Sequence, residues 1–156
     1  MRELISGPIL FIGFLLTAAV QDFQRKKVKL WVYAFFGVLA LVLDGYLWIM
    51  PDYNFLWINH LGSCCLGVCL ILAGRFMEEE IGIGDGLFFL ISGLMLDFFQ
   101  NLTVLCMGVV LCGLYGMVLF VWNQIYWKKD VRKLTIPFLP FTVIPGIWIT
   151  AMELWG

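Results

Sequence analysis

Long apolar runs, separated by short polar stretches, make up most of this chain. A helix that crosses a membrane needs roughly 20 successive apolar residues, and the runs divide into six such segments. The pattern predicts helix one over about Leu4 to Gln21, followed by a basic loop from Asp22 to Lys29. Helix two takes Leu30 to Ile49 and stops at the turn signal Met50-Pro51-Asp52. Helix three takes Phe55 to Ala73 and ends at Gly74-Arg75. The segment from Leu87 to Trp122 is too long for one crossing, and Asp97-Phe98-Phe99-Gln100-Asn101 breaks it into helices four and five. Helix four then has only about 12 residues, short of the usual span, which suits a start in a water-filled recess. Helix six runs from Ile136-Pro137 to Glu153, and Pro140 and Pro145 predict an irregular first half.

Composition gives the reason for the runs. Of 156 residues, 62% are hydrophobic and only 13% charged, with a mean hydropathy of +0.95. A soluble domain of this length could not hide so much apolar surface, so the bilayer is the expected solvent. The fold class is therefore all-α: one polytopic membrane domain over residues 1–156, with about six transmembrane helices. The net charge of −1 decides little, but its distribution decides orientation. Nearly all Lys and Arg fall between Arg25 and Lys29, at Arg75, or between Lys128 and Lys133. Six crossings put all three clusters on one face, which the positive-inside rule makes cytoplasmic, with the amino end outside. Helix one carries its positive charge after the apolar run, the pattern of a retained helix and not of a secretory signal. The five cysteines lie within apolar runs without a C-x-x-C pair, so packing inside helices is expected and zinc is not. The sequon Asn101-Leu102-Thr103 carries no weight.

Two acids stand out against this background. Asp22 closes the first run, and Asp85 lies within Gly82-Ile83-Gly84-Asp85-Gly86, just before helix four. Carboxylates at the edge of a bilayer are costly to keep and are candidate functional groups. Both fall on the cytoplasmic face. Two neighbouring carboxyls resist ionising together and share one proton. The ionised partner can take a proton from an attacking water, while the protonated one polarises a carbonyl and serves the leaving amine. This chemistry needs no metal and no cofactor, and none is expected. A Ser/His or Cys/His site is hard to build, because His60 is the only histidine and lies towards the opposite face. Gly82, Gly84 and Gly86 allow positive φ and close backbone approach, so a substrate strand is expected to lie against this loop. Helix dipoles favour charge on Asp85, at an amino end, over Asp22, at a carboxyl end, which predicts that Asp22 keeps the shared proton.

At these residues the chain resembles the type IV prepilin peptidase family of membrane aspartyl proteases. The first family motif resembles Asp22-Phe23-Gln24-Arg25-Lys26-Lys27-Val28-Lys29-Leu30-Trp31, the G-x-G-D signature is matched by Gly82-Ile83-Gly84-Asp85, and the proline-rich approach to the last helix resembles Ile136-Pro137-Phe138-Leu139-Pro140-Phe141. The resemblance implies that Asp22 and Asp85 are a catalytic dyad. It implies an aspartic-type endopeptidase of the bacterial plasma membrane that cuts the basic leader of prepilin-like or pseudopilin precursors after a glycine. Lys29-Leu30 replaces a frequent Pro-Asn, Leu87 replaces a frequent lysine, and the amino-terminal methyltransferase region is absent, so peptidase activity without methylation is expected.

Glu78, Glu79 and Glu80 lie just before Asp85 and could steer a basic leader, or form only a solvated loop. Small residues at Gly62, Ser63, Gly67, Gly108, Gly113 and Gly116 are expected to bring helices three and five together. The partners expected are precursor proteins and membrane lipid, not nucleic acid. Two alternatives use the same residues. A non-catalytic membrane protein would bind prepilin-like substrates or assist their assembly, and the replacements at Lys29, Leu30 and Leu87 keep it open. A small transporter would relay protons through the aspartates, which requires a polar path to the outside.

Overall fold

The computed structural model describes residues 6–25, 28–49, 57–76, 83–126 and 136–155. Among them six α-helices follow one another: α1 (Ser6–Arg25), α2 (Leu30–Ile49), α3 (Trp57–Phe76), α4 (Ile83–Met95), α5 (Phe98–Tyr126) and α6 (Leu139–Trp155). The expected division of the apolar chain therefore holds, with α2 at the bounds read from the sequence. Two ends differ. Helix α1 continues a turn past Gln21, so Asp22 belongs to its last turn and not to the loop. Helix α4 already includes Ile83, so Asp85 stands inside its first turn.

Contacts at both ends show that the helices alternate in direction. At one end Asp22 of α1 meets Leu139 of α6, and Tyr33 of α2 meets Gly84 of α4. At the other, Gly7 of α1 faces Met95 of α4, and Gln100 of α5 bonds Glu153 of α6. The end that carries both aspartates also carries Arg25 and Arg75, in the last turns of α1 and α3.

Helix α4 is the hub, packed against α1, α2, α3 and α5. Phe88 and Phe89 of α4 are fully buried with Phe11, Phe14 and Leu15 of α1, Val104 of α5 and Leu139 of α6. Phe14 stacks on Phe88 with ring centroids 4.9 Å apart. At 13 residues α4 is too short to span a bilayer alone. Protein covers it on most sides, so its ends need not reach lipid headgroups.

Small residues place α3 against α4. A Cβ on Gly67 would collide with the backbone nitrogen of Leu90, and one on Gly93 would stand 2.7 Å from the Ser63 carbonyl carbon. Gly108 of α5 is close to Thr142 of α6 and to Phe138 just before it, while Gly113 has nothing within 4 Å. Small residues thus join α3 to α4 and α5 to α6, while Gly62 and Ser63 meet α5 as expected. The break between α4 and α5 is held by Gln100, whose Oε1 accepts the Asp97 N–H at 3.1 Å, half of a capping box.

Asn101 is fully buried, which makes its sequon inert. Its Nδ2 donates to Ser63 Oγ and to the Phe89 carbonyl, each at 3.0 Å, and its Oδ1 accepts from Ser92 Oγ at 2.8 Å. One amide thereby ties α3, α4 and α5 together, and its two ends are satisfied as burial demands.

The outer surface is oily. Trp31, Phe35, Val38, Val110, Val118 and Trp148 are all more than half exposed, far more apolar surface than water tolerates in one molecule. Among the described residues, Gly7–Arg25 and Phe98–Asn123 are long and apolar enough to cross a membrane, and four shorter apolar helices accompany them. Cys65, Cys69 and Cys106 are exposed on this surface and Cys64 is half-buried. The expectation of cysteines packed inside is corrected for those three, because lipid accepts an apolar thiol as readily as a core does.

Candidate active site

Asp22 and Asp85 come from different helices and meet at one end of the bundle. Asp22, in the last turn of α1, is buried, with 8% of its surface exposed. Asp85, in the first turn of α4, is half-buried. The two carboxyls lie within electrostatic reach of each other, and the Tyr33 hydroxyl lies within reach of both.

The surroundings of the two acids differ. Asp22 Oδ2 accepts the backbone N–H of Leu139 at 3.1 Å. Leu139 opens α6, so this N–H is one of the donors that a helix start leaves without an internal partner. Asp22 therefore fills the anion position at the amino end of α6. Beside it, Gln21 Oε1 accepts the Lys29 N–H at 3.1 Å, folding the connection to α2 back onto α1. Val32 N–H then bonds the Lys29 carbonyl at 3.0 Å and begins α2.

Tyr33 spans the site from the other side. Its hydroxyl donates to the Gly84 carbonyl at 2.9 Å, and its ring packs edge-on to Phe14. Gly84 and Gly86 are helical, not part of a loop. Gly86 is buried against α3, where a Cβ would stand 2.6 Å from Ile71 Cγ1 and 2.8 Å from the Ile71 nitrogen. The missing side chain of Gly86 therefore admits Ile71 of α3. Gly82, Glu78, Glu79 and Glu80 lie outside the described residues. Lys29 and Leu30, at the first motif, are exposed, whereas Leu87 packs against the core.

Two participants escaped the sequence reading. Tyr33 carried a usable signal, since a phenol within an apolar helix must find a partner for its hydroxyl. Leu139 carried none, because its contribution is a main-chain N–H that any residue except proline supplies. At the opposite end Asp44 of α2 and His60 of α3 lie within electrostatic reach of each other, which keeps the histidine away from the aspartates. Among the described residues no group of three or more His, Cys, Asp or Glu could hold a metal ion.

A buried carboxylate held by a helix start, beside a second carboxyl, can run acid–base chemistry on a bound amide. The family model that matches this chain over residues 9–117 describes the type IV leader peptidase family. No curated protein and no solved structure matches the chain.

Proposed function

Since this chain belongs to the type IV leader peptidase family, a family of membrane proteases, we propose that it is an aspartic endopeptidase whose dyad is Asp22 and Asp85. Its substrates are prepilin-like or pseudopilin precursors, cut after a glycine between a short basic leader and the hydrophobic helix that follows. The observation that supports this most is the Leu139 N–H on Asp22 Oδ2, next to a second acid. A donor aimed at an oxygen stabilises the carboxylate form. Asp22 is then the ionised partner, and its carboxylate takes a proton from the attacking water. Asp85 holds the shared proton, polarises the scissile carbonyl and passes the proton to the leaving amine. The attack gives a tetrahedral intermediate, which collapses as the amine departs.

The proposed orientation has six crossings, the amino end outside and the dyad at the cytoplasmic face of a cell membrane. Arg25 and Arg75 at the aspartate end support it through the positive-inside rule. A leader in the cytoplasm would reach the dyad while its hydrophobic helix stayed in lipid. Gly82, Gly84 and the Glu78–Glu80 run are the proposed substrate contacts.

The test is co-expression with a prepilin-like precursor, read as the leader-sized shift on a gel. Wild type is expected to cleave, and Asp22→Ala and Asp85→Ala are each expected to abolish cleavage. Cleavage that survives either substitution would remove the dyad. A precursor bound but never cut by the wild type would point to the assembly role instead.

A further inference from the structure

On the aspartic-peptidase reading proposed above, we infer that Tyr33 is a positioning residue, whose hydroxyl holds the first turn of α4 and keeps Asp85 facing Asp22. The residue sits in the first turn of α2 and is 4% exposed. Its hydroxyl reaches the Gly84 carbonyl at 2.9 Å, one peptide before Asp85. The ring is fixed from behind by Phe14, with centroids 6.1 Å apart and planes at 71°. Phe14 in turn stacks on Phe88, one turn after Gly84 along α4. A closed circuit therefore joins α2, α1 and α4, the helices that bear the acids and the hydroxyl.

The sequence of α4 explains why such a latch is needed. Ile83-Gly84-Asp85-Gly86 opens the helix with two glycines in four residues. Glycine is the poorest helix former after proline, and terminal turns fray most readily. The turn that carries Asp85 therefore does not hold itself. On one flank Gly86 is clasped by Ile71; on the other, Tyr33 supplies the hold. The hydroxyl lies in the field of both carboxyls but spends its proton on the Gly84 carbonyl. That makes Tyr33 a support of the dyad and not a donor to substrate.

The experiment compares wild type, Tyr33→Phe and Phe14→Leu, purified in detergent and normalised to folded protein, on a prepilin-like precursor. Tyr33→Phe keeps the ring and removes only the hydroxyl. It is expected to lower kcat by about 10- to 100-fold with KM within about twofold, the cost of a misplaced reacting group. The two limbs of its pH–rate profile are expected to draw together. Two carboxyls that share a proton have macroscopic constants split by their mutual repulsion, and separation narrows the split. Phe14→Leu loosens the same circuit through the ring, and is expected to draw the limbs together by less than Tyr33→Phe while lowering thermal stability. Full activity in Tyr33→Phe would overturn the inference. So would a lowered kcat with an unmoved pH profile, or failure of Tyr33→Phe to accumulate as folded protein, since the hydroxyl would then serve the fold alone. Cleavage surviving Asp22→Ala or Asp85→Ala would remove the dyad, and the role of Tyr33 with it.

Discussion

Asp22 ends α1, where the dipole of its own helix opposes a negative charge, yet it accepts the Leu139 N–H at the start of α6. The two effects differ in size. A terminal dipole is worth about 0.3–1 kcal/mol, whereas a hydrogen bond to a charged group is worth about 1.5–3 kcal/mol. The second is larger, so on the proposed dyad Asp22, and not Asp85 as the dipoles alone would have it, is taken as the ionised partner. Leu139→Pro tests this, because proline at a first helical position removes an N–H that has no partner inside its own helix, here the one given to Asp22. Losing the donor weakens the carboxylate form of Asp22, so protonation sets in at higher pH. The acidic limb of the pH–rate profile is expected to move upward by roughly one to two units, at 1.36 kcal/mol per unit. Leu139→Ala, which loses the same buried side chain but keeps the N–H, is expected to leave the limb in place. Equal limbs in both variants would exclude the hydrogen bond as the cause.

Between elements, the closest approach is that of α3 and α4, made possible by glycines that a side chain would disrupt. A methyl on Gly67 would collide with the backbone nitrogen of Leu90, so Gly67→Ala must push the helices apart. The expected cost is about 1–3 kcal/mol of unfolding free energy, the usual range for overpacking. Gly113→Ala on α5 meets nothing within 4 Å and is expected to gain about 0.5–1 kcal/mol by removing a glycine from a helix interior. Denaturant unfolding in mixed micelles measures both. The sequence announced small residues on α3 and α5 but not their partners. A glycine at a helix surface says that something comes close, and only the packing says what. The same limit applied to Gly86, whose place in a G-x-G-D-G run suggested a peptide and whose neighbour is Ile71.

For the whole molecule, the surface and the direction of the helices bear on orientation. An apolar exterior with α4 enclosed at its centre is the arrangement of a membrane protein built around a short helix. Six crossings require Arg25 and Arg75 on one side and Trp155 on the other. Arg25→Cys, Arg75→Cys and Trp155→Cys, each made alone in a chain otherwise free of cysteine, test this with a membrane-impermeant maleimide. Position 155 is expected to be labelled in intact cells, and positions 25 and 75 only in inverted vesicles. Labelling of positions 25 and 155 from the same side would break the six-crossing topology. The Ser63–Ser92–Asn101 network lies on the far side of the buried Phe88 and Phe89 from the aspartates.

Helix number, the membrane as solvent and the two acids were all legible along the chain. Each depends on local composition: a span is a run of apolar residues, and a carboxyl at its edge is conspicuous wherever it points. The chain alone could not say that α1 extends past Asp22, because capping and connection geometry decide where a helix stops. Nor could it say that Leu139 and Tyr33 reach the site. Both do so through contacts between residues far apart in sequence, one by a main-chain N–H without side-chain identity. Such contacts exist only once α4 is packed among its neighbours, and that packing made the two aspartates neighbours with unequal partners.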